Sequence, residues 1–241
     1  MIYADYLSTA EMHRWLIDSD IAWDDIDPLL ARRDPDILER IRDSALIESF
    51  FPLFTCRAME VLWDDPAATA VFSVQLYESY KHFHVFNQYL ERVEYHPIRD
   101  EELVAIRRRN AALRYHDATQ LLTRYMMSEH FAAFHFMQEA KRSPEPVLAD
   151  ILRLVARDEL RHTQFAYDLL ALRIAKSPDE SAKIVDAANE FRHIGLDVVP
   201  VIPIAEKNQF AAVITVSRKI ARLTGRELRP NGWGISHARS A

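Results

Sequence analysis

Residues 147–176 read VLADILRLVARDELRHTQFAYDLLALRIAK, a run of thirty without glycine or proline. Leu, Ala, Arg and Gln lose little rotamer freedom in a helix, so the run predicts one long α-helix over Val147 to Lys176. Within it Glu159 lies among Leu152, Val155, Ala156 and Ala166 at heptad-compatible positions. A spacing of three keeps His162 within about 60° of the same face. A carboxylate on such an apolar face is strongly destabilising unless a proton, an ion pair or a metal ion neutralises it. The segment therefore reads as a buried helix that carries a polar site.

The rest of the chain follows the same pattern. Glycine occurs four times, at Gly195, Gly225, Gly232 and Gly234, so the first 194 residues lack the usual residue for positive-φ turns. That counts against sheets joined by tight hairpins, and the expected class is all-α. Ser8 or Thr9 is the expected cap of a short first helix reaching about Asp18, followed by a loop from Asp18 to Pro28. Asp34-Pro35 starts a helix that runs to about Trp63 and kinks because Pro52 cannot donate to the Glu48 carbonyl. Asp64-Asp65-Pro66 launches the next, about Ala67 to Val93. The charged run Arg99 to Asn110 leads into a third long helix ending near Lys141, and Ser143, Pro144 and Pro146 separate it from the fourth. Ser177-Pro178 precedes a fifth helix ending before Gly195, and a last helix covers about Ala205 to Leu223. With 241 residues the expectation is a single domain, 1–241, with a core bundle at about 34–176 and additional N- and C-terminal helices. The long connection between its second and third helices suits two helix pairs related by an approximate two-fold.

A formal net charge of −6 counts against a general nucleic-acid binder. From Arg218 onward six Lys or Arg face one acid, Glu227, so that tail is +5 and the remainder −11; a solvated basic terminus is the plain reading. Cys56 is the only cysteine, which excludes a disulfide framework and a thiolate metal cluster and fits a reducing compartment. Met1 to Asp20 lacks the charge and apolar pattern of a signal peptide, and no apolar run approaches the ~20 residues of a membrane span. A soluble, cytoplasmic protein without a membrane partner is expected.

Chemistry enters through an internal echo. Glu48 is followed thirty residues later by Glu78, with His82 four beyond; Glu129 is followed thirty residues later by Glu159, with His162 three beyond. Spacings of three and four keep each Glu and His on one helix face, and a lone Glu from a neighbouring helix completes each half. Glu129 has Leu122, Tyr125, Met126, Ala132, Ala133 and Phe136 around it, again an apolar face. Four carboxylates and two imidazoles suit a pair of first-row metal ions with coordination positions left open.

The box Asp158-Glu159-Leu160-Arg161-His162, with Glu129 thirty residues earlier, resembles the ferritin-like di-iron oxidoreductases, which include acyl-carrier-protein desaturases, ribonucleotide reductase small subunits and arylamine N-oxygenases. The resemblance covers about Asp34 to Lys176. It implies a ferritin-like four-helix bundle, two iron ions held by Glu48, Glu78, His82, Glu129, Glu159 and His162, and dioxygen chemistry; the same donors also serve manganese. It also implies dimerisation. The chain departs from the family in its second helix, where Glu-x-x-His is usual and Glu78-Ser79-Tyr80-Lys81-His82 stands. Either His82 is one residue late or Ser79 occupies the Glu position.

Tyr125 and Tyr80 are candidate catalytic or ligand-orienting groups and Lys81 a candidate supporting one, against the plainer reading of aromatic residues as core. His84, His116, His130 and His135 read as surface or hydrogen-bonded histidines. The expected function is a non-haem di-iron oxidoreductase that reduces dioxygen and oxidises a small or acyl-type substrate by hydroxylation, N-oxygenation, desaturation or C–C cleavage. Its electrons would come from an external donor, since the sequence has no Gly-rich dinucleotide fingerprint and no iron–sulfur cysteine set. A ferritin-like ferroxidase that handles iron and a binding bundle with a degenerate metal site are the other two readings.

Overall fold

Residues 2–200 and 209–228 are described in this computed structural model, and among them the chain is all-α, with no strand. The helices are α1 (Ile2–His13), α2 (Pro28–Ala31), α3 (Pro35–Glu48), α4 (Phe51–Val61), α5 (Pro66–Arg92), α6 (Asp100–Arg109), α7 (Ala118–Arg142), α8 (Pro146–Lys176), α9 (Glu180–Asn189) and α10 (Gln209–Thr224). None of them is long and apolar enough to cross a membrane.

Local chemistry explains where they begin. α2, α3, α5 and α8 each open on an acid followed by proline, which has no N–H to leave unpaired and is pre-set for the first turn. The acid then accepts from a free backbone N–H: Asp34 from Ile37 at 3.0 Å, Asp65 from Ala68 at 3.0 Å and Glu145 from Leu148 at 2.7 Å. At the far end of α5, Glu94 (φ 52°) and His96 (φ 32°) take the left-handed turn that glycine usually supplies.

α8 runs back along α7, to which a three-residue turn joins it, and α5 packs on α3 and α4 on one side and on α8 on the other. α4 also reaches α7, α1 lies across α5, and α9 and α10 cover α7. Together they enclose one large apolar core that includes Phe54, Phe72, Phe86, Tyr125 and Phe131.

Three expected boundaries shift. The first helix spans Ile2–His13 rather than Ser8 to Asp18, because Tyr6 and Ala10 are buried one turn apart; Thr9 lies inside it, donating to the Asp5 carbonyl at 2.8 Å. The kink expected at Pro52 is a full break at Ser49-Phe50, with Pro52 in the first turn of α4. The charged run after Arg99 forms its own helix, α6, and Asp117 caps α7 afresh by accepting from Thr119 at 2.8 Å and Gln120 at 3.0 Å. Of the expected last helix, residues 205–208 lie outside the described residues.

Glu145 is fully buried and accepts from Val147 N–H (3.2 Å), Leu148 N–H (2.7 Å) and Tyr89 O–H (3.0 Å). Replacing it with alanine strands these donors in the core, so Glu145→Ala is expected to lower unfolding free energy by about 2–3 kcal/mol in a denaturant titration. A loss below about 0.5 kcal/mol would show that the cap contributes nothing.

Candidate metal centre

The long helices bring five buried side chains to one point. Glu48 is the last residue of α3, at the break before Pro52; His82 comes from α5, Glu129 from α7, and Glu159 and His162 from consecutive turns of α8. They form two groups, Glu48 with His82 and Glu159, and Glu129 with Glu159 and His162. In each group the donor atoms lie within 4.8 Å of one another. Glu159 belongs to both: its Oε1 is 3.0 Å from His82 Nδ1 and its Oε2 2.9 Å from His162 Nδ1. Glu48 Oε2 is 3.8 Å from His82 Nδ1, and Glu129 Oε2 is 3.3 Å from His162 Nδ1.

A second layer holds the histidines by their outer nitrogens. His82 Nε2 is 3.0 Å from Asp158 Oδ2, and His162 Nε2 is 2.8 Å from Glu78 Oε2. Arg161 ties the two carboxylates together, donating to Glu78 at 2.7 Å and to Asp158 at 2.9 Å. Tyr6 O–H donates to Glu78 (2.8 Å) and Trp15 Nε1 to Asp158 (2.8 Å). Lys81 in turn donates to the Trp15 carbonyl at 2.7 Å, with its ammonium 3.5 Å from the centre of the indole ring. An ionised carboxylate only accepts, so each Nε2 carries its proton there and each Nδ1 is directed at the inner cluster.

Charge is balanced by protons. Burial, reinforced by the charge of Glu159, pushes Glu48 up to about 7 and Glu129 well above the usual carboxylate range. Burial also opposes charge on Glu159, Glu78 and Asp158, but the surrounding imidazoles, with Arg161 beside Glu78 and Asp158, hold all three below the usual range. His82 and His162 are held well above the ordinary histidine value, because the carboxylates around them outweigh their burial. Three groups that favour the anion (Glu78, Asp158, Glu159) thus face three that favour the cation (His82, His162, Arg161), and Glu48 and Glu129 are the carboxylates that favour the proton. Two divalent ions replacing the four protons on His82, His162, Glu48 and Glu129 would leave the net charge unchanged.

The inner atoms fit a metal. Glu48 Oε2, His82 Nδ1 and Glu159 Oε1 are buried and face one another without a well-aligned hydrogen bond; the close pair, His82 with Glu159 at 3.0 Å, depends on a proton that a metal cation between them would replace. Carboxylate oxygen and imidazole nitrogen are donors for first-row ions.

Five of the six expected ligands therefore meet. The sixth, Glu78, falls outside both groups and bonds to the outer face of His162. Ser79, three residues before His82 as Glu159 is before His162, stands at the matching position, fully buried. Of the two tyrosines, Tyr125 is buried one turn before Glu129, whereas Tyr80 is 39 % exposed and sets its ring against Phe83. Tyr6, Trp15 and Asp158 were not anticipated as site residues. For Asp158 the signal was present, in the same register with His162 as Glu78 has with His82. His130 is hydrogen-bonded as expected, its Nε2 lying 3.0 Å from the Ala212 carbonyl, and burial lowers it to about 4.

No family model, curated protein or solved structure matches the chain.

Because Glu159 serves both groups, Glu159→Ala is expected to abolish uptake of both ions, and Glu48→Ala to leave one. Elemental analysis against helicity checks this, and a Glu159→Ala variant retaining two ions would contradict the shared ligand. Calorimetry in buffers of differing ionisation heat should show about four protons released per two ions at pH 6. Protons compete with metal, so affinity should rise with pH, and its fall should steepen below about 7, where Glu48 also carries a proton to be expelled.

Proposed function

We propose that this chain is a non-haem di-iron oxidoreductase of the ferritin-like kind, which reduces dioxygen and oxidises a small or acyl-type organic substrate. The observation that carries the reading is the sharing of Glu159 by two buried carboxylate–imidazole groups. Its support is the order of donors along the chain: a lone Glu on α3, His82 on α5, a lone Glu on α7 and Glu-x-x-His on α8. When bound, a pair of ferrous ions supplies the electrons and Lewis acidity that dioxygen reduction needs.

The chain's own residues do the rest. Asp158 and Glu78 keep the Nε2 protons of His82 and His162 in place and so fix both rings. Phe51, Phe54 and Phe72 stand around Tyr125 with ring centres 6.4, 5.7 and 5.2 Å away, excluding water from that side. Burial, with the charges of Glu129, Glu159 and Glu48 nearby, raises Tyr125 well above its ordinary value, so its hydroxyl stays a neutral donor. We assign it the role of a hydrogen-bond donor toward oxygen at the centre. A groove of about 890 Å³ between α1 and α8, with walls from Ile2, Leu160, Phe165 and Leu172, reaches Arg161 and suits an apolar acyl substrate. An external donor supplies the reducing electrons.

Protein loaded anaerobically with ferrous iron and then exposed to air should hold two irons per chain, consume oxygen and gain a near-ultraviolet charge-transfer band. All three should vanish in a Glu129→Ala, Glu159→Ala double variant of unchanged helicity. Tyr125→Phe should keep its iron and slow oxygen consumption by about tenfold to a hundredfold. Near-zero iron in the unaltered chain would leave a binding bundle, and ferric iron accumulating inside a large hollow assembly would turn the reading to iron handling.

A further inference from the structure

The two halves of the centre match position by position except once. Glu78 and Asp158 each bond the Nε2 of the opposite histidine, which aligns α5 with α8 and sets Ser79 opposite Glu159. Where Glu159 carries CH2–COO− beyond its Cβ, Ser79 carries a hydroxyl; the difference has the atoms of an acetate ion. The Ser79 hydroxyl is fully buried and makes no hydrogen bond.

Three further buried donors without partners accompany it: Thr55 Oγ1 on α4, Gln75 Nε2 one turn before Ser79, and Tyr125 O–H one turn before Glu129. Gln75 and Ser79 share a face of α5, and Phe54, next to Thr55, and Phe72, three residues before Gln75, both touch the Tyr125 ring. Each unpaired buried donor costs about 1–3 kcal/mol, a cost that an acceptor from outside the chain would relieve. No lysine or arginine is among them, which suits a monoanion rather than a phosphate.

We propose that Ser79 opens the centre to a carboxylate supplied from outside the chain, which takes the place opposite Glu159 and accepts hydrogen bonds from Ser79, Gln75, Thr55 and Tyr125. The inference rests on the metal-pair reading above. The ligand is a monocarboxylate, either a substrate's head group or a small resident anion.

Cobalt(II)-loaded protein offers a readout independent of turnover, because its visible spectrum reports the ligands around the metal. Sodium acetate titrated against chloride at constant ionic strength should shift the spectrum of the unaltered chain. Ser79→Glu, which restores an internal carboxylate, should hold two cobalt ions and give no response. Gln75→Leu should hold two and need about tenfold more acetate, the loss of one hydrogen bond to a charged group. Octanoate binding more tightly than acetate assigns the anion to a substrate, and weaker binding to a small resident ion; both support the site. Two cobalt ions with no acetate response in the unaltered chain, or a Ser79→Glu response equal to it, overturns this proposal alone. Should Ser79→Glu fail to fold, unchanged acetate affinity in both Gln75→Leu and Thr55→Val overturns it. No cobalt uptake by the unaltered chain ends the metal-pair reading and this site with it.

Discussion

One carboxylate, that of Glu159, lies between the inner nitrogens of two fully buried histidines, and the rest of the interior is arranged to make that tolerable. A charge taken out of water costs several kcal/mol even after relaxation. Here the cost is multiplied, because Glu78 and Asp158, also held below the usual carboxylate range, are buried beside it. It is offset by two imidazoles, by Arg161 and by helices that bring these groups to one level. α3 has to end near Glu48, α5 and α8 have to present His82 and His162 to each other, and α7 has to place Glu129 beside them. A slip of one helical turn, about 5.4 Å, would leave a carboxylate facing apolar side chains without a partner. Register along the helices is thus set by charge pairing, while apolar packing of Phe54, Phe72, Phe86 and Phe131 supplies the bulk of the driving force.

The N-terminal segment belongs to this arrangement. Tyr6 and Trp15 reach Glu78 and Asp158 from outside the long helices, so α1 and the turn after it close the outer layer as well as covering α5. Lys81 holds Trp15 through its carbonyl and its ring, and so acts on the centre at two removes. An ammonium above the indole ring disfavours positive charge there, which makes Trp15 a structural donor to Asp158 rather than a site for an electron hole.

Much of this was legible in the sequence, and for physical reasons. Scarce glycine and acid–proline starts mark helices because both act through local backbone chemistry, and the observed starts at Pro35, Pro66 and Pro146 follow. Glu129, Glu159 and His162 were legible because charged groups on apolar faces need a partner. The α5 ligand position was not. Glu78 lies about 40° and Ser79 about 60° from His82 around the helix, a difference that periodicity cannot resolve. The register is settled across helices, by Asp158 on His82 and Glu78 on His162, and such pairings leave no trace in the spacing of either helix. Tyr6 and Trp15 lie 72 and 143 residues from the carboxylates they bond, beyond any local pattern. Tyr80 follows Ser79 by one residue, and that single step of about 100° carries its ring out to the surface.

The two metal-binding groups also differ in what a cation displaces. Around His162 the inner atoms are already hydrogen-bonded, Nδ1 to Glu159 at 2.9 Å and to Glu129 at 3.3 Å. Around His82 the pairing is looser, with Nδ1 3.0 Å from Glu159 and 3.8 Å from Glu48 and no well-aligned hydrogen bond. A cation entering the second group breaks those contacts and expels a proton from Glu129, which is held well above the carboxylate range. One entering the first would replace the His82–Glu159 pair at 3.0 Å and compete with the proton on Glu48, which burial and the charge of Glu159 push up to about 7. The two groups are chemically alike, one imidazole and two carboxylates, so any difference in how they would hold a cation comes from these different starting states.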